Sequence, residues 1–211
     1  MDFTVVCTGY CFLEGPRVQG DKLWFTDLLL GGLYRRSPDG RIDSYMPERK
    51  HVGGIAINRD GRIIAGGPGG LAWLDPETGR TGWALDTIDG ERMWGTNDFL
   101  PDGRGGIYFG TISRAADYSQ PPTTTELYNV DARGNTVLLA EGLSFANGVG
   151  LSPDGKRLYQ VESLRGIYAH DVRADGSLGP RTLFVDRKDG DGCAVDAEGG
   201  LWVAGCMSGD L

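Results

Sequence analysis

A short apolar run, Val149-Gly150-Leu151, meets the turn Ser152-Pro153-Asp154-Gly155, and Arg157-Leu158-Tyr159-Gln160-Val161 then alternates polar and apolar side chains. Alternation with a period of two on either side of an Asp-Gly turn predicts a β-hairpin, because glycine takes the positive φ that a tight turn needs. The residue that opens the hairpin, Asn147, is polar.

The same pattern recurs along the chain. Glu14-Gly15-Pro16 leads through Gly20-Asp21 to Leu23-Trp24-Phe25-Thr26, and Gly53-Gly54-Ile55-Ala56-Ile57 leads through Asp60-Gly61 to Ile63-Ile64-Ala65. Asn97-Asp98-Phe99-Leu100 leads through Asp102-Gly103 to Ile107-Tyr108-Phe109, and Asp191-Gly192-Cys193-Ala194-Val195 leads through Glu198-Gly199 to Leu201-Trp202-Val203. Taking Trp24, Ile64, Tyr108, Tyr159 and Trp202 as equivalent gives intervals of 40, 44, 51 and 43 residues, the length of a four-stranded propeller blade. Further short apolar runs at Leu33-Tyr34, Leu71-Ala72-Trp73-Leu74, Leu127-Tyr128 and Ile167-Tyr168 fall where third strands belong. No segment sustains a 3.6-residue apolar period, so almost no helix is expected. The fold predicted is an all-β propeller in a single domain, residues 1–211.

Composition fits a chain of turns. Glycine supplies 35 of 211 residues, more than twice the usual share of about 7%, while apolar residues remain plentiful. A net charge of −8 argues against nucleic acid, whose phosphates need clustered Lys and Arg. The first fifteen residues lack a basic start and a long apolar core, and no stretch reaches the roughly 20 apolar residues of a membrane span. A soluble, cytoplasmic protein with no membrane partner is expected. Cys7, Cys11, Cys193 and Cys206 form no CxxC pair and read as small, reduced hydrophobes.

Candidate chemistry comes from the residue that opens each repeat. In a propeller the first strand of every blade lies innermost and all run the same way, so Glu14, Gly53, Asn97, Asn147 and Asp191 should ring one mouth of the central channel. Two carboxylates and two amides suit a hard divalent cation such as Ca²⁺, Mg²⁺ or Mn²⁺. Each of these residues is also a common turn former, since short polar side chains cap their own backbone. Their shared place in several repeats favours a site. His51, just before Gly53, and His170, on an outer strand, read as structural or solvated.

Leu13-Glu14-Gly15-Pro16, Asn97-Asp98 with Tyr108-Phe109-Gly110-Thr111, Ala146-Asn147-Gly148 and the run from Asp191 to Ala204 resemble the senescence-marker-protein, gluconolactonase and luciferin-regenerating-enzyme family across essentially the whole chain. The resemblance implies a six-bladed propeller and a metal-dependent lactonase, which opens a small-molecule lactone with metal-activated water. It implies Glu14, Asn147 and Asp191 as metal ligands, Asp191 also as general base, and Asn97 beside the metal facing substrate. One divalent ion follows, calcium first, with Zn²⁺, Mn²⁺, Mg²⁺ and Fe²⁺ as alternatives. The chain departs from the family in its substrate rim: Gly95 stands where members acting on sugar lactones often carry arginine, and Arg114 where they carry glutamate. Arg114 and Trp94, with Arg92, are the candidates for a recast substrate pocket, against a solvated arginine and a packing tryptophan.

The sequence stops within the second hairpin of its fifth repeat, about four and a half blades into a six-bladed ring. That predicts a ring short of roughly one and a half blades. A non-catalytic metal-binding or partner-binding propeller is the alternative reading, because this fold hosts many functions.

Overall fold

The computed structural model describes residues 4–112 and 124–211, and among these residues there is no helix. The first repeat forms β1 (Leu13–Gln19), β2 (Lys22–Asp27), β3 (Leu33–Arg36) and β4 (Ile42–Tyr45), hydrogen-bonded in chain order. The second contributes β5 (Ile55–Ile57), β6 (Ile63–Ala65), β8 (Leu71–Leu74) and β9 (Thr81–Leu85), with the two-residue β7 (Gly67–Pro68) between β6 and β8. A small ribbon of β10 (Thr87–Ile88) and β11 (Glu91–Arg92) precedes the third blade. That blade holds β12 (Gly95–Pro101), β13 (Ile107–Thr111), β14 (Thr124–Val130) and β15 (Thr136–Ser144), and β7 adds itself to β12 as a fifth strand. The fourth comprises β16 (Ala146–Leu151), β17 (Arg157–Glu162), β18 (Gly166–Asp171) and β19 (Thr182–Val185), and β20 (Gly190–Val195) pairs with β21 (Leu201–Gly205) as the start of a fifth.

The hairpins form where alternation predicted them. Gly20, Gly61, Gly103, Gly155 and Gly199 hold φ of 61°, 87°, 75°, 70° and 89°, so the turn of every repeat uses the one residue that enters this region without strain.

The core lies between blades. Trp24, Leu33, Ile55, Ile63 and Leu74 fill the wedge between the first and second blades, and Ile64, Leu71, Phe99 and Phe109 fill the next. Tyr108, Leu127, Leu143, Val149 and Leu158 fill the wedge between the third and fourth. Burying each such side chain contributes about 1.5–3 kcal/mol, so adjacent blades hold one another. The N-terminal segment packs on the first blade, where Tyr10 sets its ring edge-on against Phe25 and Tyr34 with centroids 5.0 and 4.9 Å apart. The buried Asp27 carboxylate pins that segment by accepting amide hydrogens from Cys11, Phe12, Leu29 and Leu30. These hydrogen bonds outweigh the cost of burial and hold its pKa below the usual carboxylate value.

The cysteines are free, and the expectation that they serve as small hydrophobes fails for two of them. Cys11 and Cys206 are exposed, because both lie in irregular segments outside the strands. No helix among the described residues is long and apolar enough to cross a membrane.

Candidate functional site

The innermost strands share one irregularity. The pairing register breaks between Glu14 and Arg17 in β1, between Thr96 and Phe99 in β12, between Ala146 and Val149 in β16, and between Gly190 and Cys193 in β20. Each break encloses or begins at the polar residue that opens the repeat. A β-bulge puts an extra residue on one strand and re-aims its side chain, which is how Glu14, Asn97, Asn147 and Asp191 leave the sheet pattern together.

Their contacts place these four side chains in one neighbourhood. Glu14 senses the charge of Asp191, and the Asn147 side chain hydrogen-bonds the Asp191 carboxylate. Asn147, 3% exposed, also donates from Nδ2 to Ser163 Oγ at 3.1 Å, which fixes the direction of its amide. Asn97 donates from Nδ2 to the carbonyl of Ala146 at 3.2 Å, tying the third blade to the residue before Asn147.

Gly53 supplies no donor, and the structure gives it another role. A Cβ there would stand 2.5 Å from Asn97 Oδ1, so the absence of a side chain leaves room for the Asn97 amide. Close packing explains a second glycine. A Cβ on Gly148 would meet the Cys193 amide nitrogen at 2.6 Å and the Asp191 carbonyl at 2.7 Å, so the innermost strands of the fourth and fifth repeats approach backbone to backbone.

Asp98 is the residue that reading the repeats missed as a site member. Glu14-Gly15, Gly53-Gly54, Asn147-Gly148 and Asp191-Gly192 all put glycine after the mouth residue, whereas Asn97 is followed by Asp98. Aligning the five dipeptides is the signal that exposes it. Its Oδ2 lies 3.4 Å from where a Cβ of Gly192 would sit, so this carboxylate reaches the innermost strand of the fifth repeat.

Three carboxylates lie at close quarters: the charges of Asp98 and Asp191 act on Glu14, and that of Asp191 acts on Asp98. Burial, then repulsion from Asp98 and Asp191, pushes Glu14 up to about 8. Burial also raises Asp98, to about 7, against the opposing pull of Arg17. Asp191 moves up for the same first reason, while hydrogen bonds from Asn147 and Cys206 restrain it. Such a set is short of positive charge, and a cation or protons relieve it. Among the described residues no three His, Cys, Asp or Glu side chains are arranged to hold a metal ion by themselves. The donor set is mixed: the two carboxylates of Glu14 and Asp191 with the amide oxygen of Asn147, all hard oxygen donors, fit a calcium-like ion with coordination positions to spare.

The remaining candidates separate. Trp94 precedes β12 and is 54% exposed, so it is not a packing residue of the core. Arg92 belongs to the β10–β11 ribbon and pairs with Asp86 at 3.5 Å. Arg114 lies outside the described residues. Cys193 is half-buried; loss of solvent around its thiol, then the Asp98 charge, pushes it up to about 12, so it stays protonated at neutral pH.

The sequence model of a family described as the SMP-30/Gluconolactonase/LRE-like region matches residues 12–211. Pentonolactonase XacC of Haloferax volcanii is 28% identical over 98% of this chain and 72% of its own length. A gluconolactonase from Xanthomonas campestris superposes with a TM-score of 0.83 at 24% identity, over 95% of this chain and 72% of that one. A calcium-binding protein, regucalcin, from Agrobacterium tumefaciens gives 0.79 at 24% identity, over 95% and 70%.

Proposed function

This chain belongs to the SMP-30/gluconolactonase/LRE-like family, and from that premise we propose that it is a lactone hydrolase working with one divalent cation, calcium first. The observation that carries the reading is the convergence of Glu14, Asn97, Asn147 and Asp191 from four separate repeats, each re-aimed by its own strand irregularity. A relative named for pentonolactones and a neighbour named for gluconolactone favour a sugar-derived substrate.

Glu14, Asn147 and Asp191 would hold the cation. Bound there, a divalent ion supplies Lewis acidity toward the lactone carbonyl. The chain's own residues do the rest. Asp191 accepts a proton from water as its oxygen bonds to the carbonyl carbon, and that proton passes to the ring oxygen when the acyl C–O bond breaks, releasing a hydroxy acid. Asn97 spends one amide hydrogen on Ala146 and keeps a second for a substrate oxygen, which fixes the approach of the carbonyl. With Cys193 protonated, no thiolate competes with water.

A panel of γ- and δ-aldonolactones, assayed after chelation and again with added Ca²⁺, tests the reading. Cation-dependent ring opening that Asp191→Asn abolishes is the expected result. No turnover of any lactone at any cation concentration would leave the non-catalytic alternative.

A further inference from the structure

Asp189 stands immediately before β20 with φ of 83°, in the left-handed region that an L side chain enters at a cost. Backbone held there persists only where its surroundings impose it, and three groups of Asp189 show what does so. Its amide donates to the carbonyl of Ser163 at 2.7 Å, and its carbonyl accepts the amide of Cys206 at 2.8 Å. Its carboxylate accepts the amides of Met207 at 2.8 Å and Ser208 at 3.0 Å, closing the turn that follows β21.

The two residues it joins are those that support candidate cation ligands. Ser163, in the turn after β17, accepts Asn147 Nδ2, and the Cys206 thiol hydrogen-bonds the Asp191 carboxylate. Asn147 and Asp191 therefore hang from one run of backbone, in which Cys206 bonds to Asp189, Asp189 to Ser163, and Ser163 to the carbonyl of Phe145 at 3.2 Å. His51 and Phe145 occupy the equivalent place, two residues before the mouth residues Gly53 and Asn147, and are left-handed too, at 58° and 61°. The His51 amide reaches the carbonyl of Leu28 in the preceding blade at 2.8 Å, as that of Asp189 reaches Ser163. Glycine would meet this backbone requirement without strain. A carboxylate in the fifth repeat is explained by its second task, holding the turn that carries Cys206.

We propose, on the reading of Glu14, Asn147 and Asp191 as cation ligands, that Asp189 is a positioning residue: it joins the supports of Asn147 and Asp191, so that the two ligands keep the spacing a cation needs. Groups that orient metal ligands in this way decide affinity without touching the ion.

Calcium calorimetry tests this, together with the luminescence of Tb³⁺ bound in place of calcium, whose lifetimes in H₂O and D₂O count the waters on the ion. Asp189→Gly keeps the left-handed backbone and removes the carboxylate. It should weaken calcium by about 10- to 100-fold, the usual worth of a partner that orients a ligand, and admit additional water to bound Tb³⁺. Asp189→Asn, which keeps an acceptor oxygen and tolerates the same φ, should restore most of the affinity. Asp89→Gly, at a left-handed aspartate in the turn between β10 and β11, should change neither reading. A lowered Tm in Asp189→Gly with unaltered calcium affinity and water count would make Asp189 a structural turn residue only and overturn the proposal. No uptake of Ca²⁺ or Tb³⁺ by the unaltered chain would overturn the cation reading and this inference with it, whereas uptake that Asp189→Gly leaves intact overturns the positioning role alone.

Discussion

At the scale of single residues, the mouth of the channel assigns different losses to neighbouring side chains. Asp191→Asn keeps the shape and removes the charge and the proton acceptor, so kcat should fall by about 10² to 10⁴, the usual worth of a positioned general base. Asn97→Ala leaves that acceptor intact and should act mainly through KM, because what it removes is orientation. Steady-state kinetics on the same lactone separates the two; equal effects on both constants in both variants would contradict the roles. Asp98→Asn makes a third case. Its charge helps to hold Glu14 at about 8. Without it Glu14 should titrate lower, so the pH below which cation binding weakens should move down, which a calcium titration repeated between pH 6 and 9 reads directly. Glu14, Asn97, Asn147 and Asp191 were legible as candidates because each opens a repeat. Asp98 was hidden by its setting in an Asn-Asp dipeptide that reads as an ordinary turn, until its four glycine counterparts are set beside it.

At the scale of strands, the hairpins were legible because alternation and a turn of glycine beside Asp or Glu act locally, within a dozen residues. The irregularities that aim the site were not. A bulge is a relation between two strands, and Asn147-Gly148 carries no mark that distinguishes it from a plain turn. The strands β7, β10 and β11, two residues each, are too short to display any period. Gly148→Ala tests the close approach of the inner strands. The added methyl meets backbone on two sides, and overpacking of this kind costs about 1–3 kcal/mol. That corresponds to a loss of roughly 2–10 °C in Tm for a chain of this size, and an unchanged melting curve would show that the strands part easily. His170 on β18 offers a further test. It is 2% exposed, its Nδ1 lies 3.2 Å from the carbonyl of Gly179 and so carries the hydrogen, and its Nε2 has no hydrogen-bond partner among the described residues. Burial pushes its pKa below the ordinary 6.5. The unfolded chain therefore takes up the proton first, and stability contributed above pH 6.5 is lost as the pH falls through that value toward the folded pKa. His170→Gln should flatten this part of the difference in Tm between pH 7.5 and 5.5, whereas an unaltered difference would place the acid sensitivity elsewhere.

At the scale of the whole molecule, the channel carboxylates have the opposite sign. Glu14 and Asp98, raised to about 8 and about 7, bind protons more tightly in the folded chain than in the unfolded one. The cation-free protein should therefore gain stability from them as the pH drops from about 8 toward 5, and saturating Ca²⁺ should remove that gain by taking the place of the protons. Calorimetry at pH 7 in two buffers of different ionisation enthalpy would show proton release on cation binding. Heat that is independent of the buffer would mean that these carboxylates are not where the cation binds.

The wedges between blades carry one last consequence, for descent. Because each apolar core is shared by consecutive blades, a unit of some 40 to 51 residues copied end to end brings half of the packing on either side with it. Duplication alone then builds the interior. The residue that opens each copy is not among the side chains of those cores, so that place can hold different residues in different copies without disturbing the interior, as Glu14, Gly53, Asn97, Asn147 and Asp191 do.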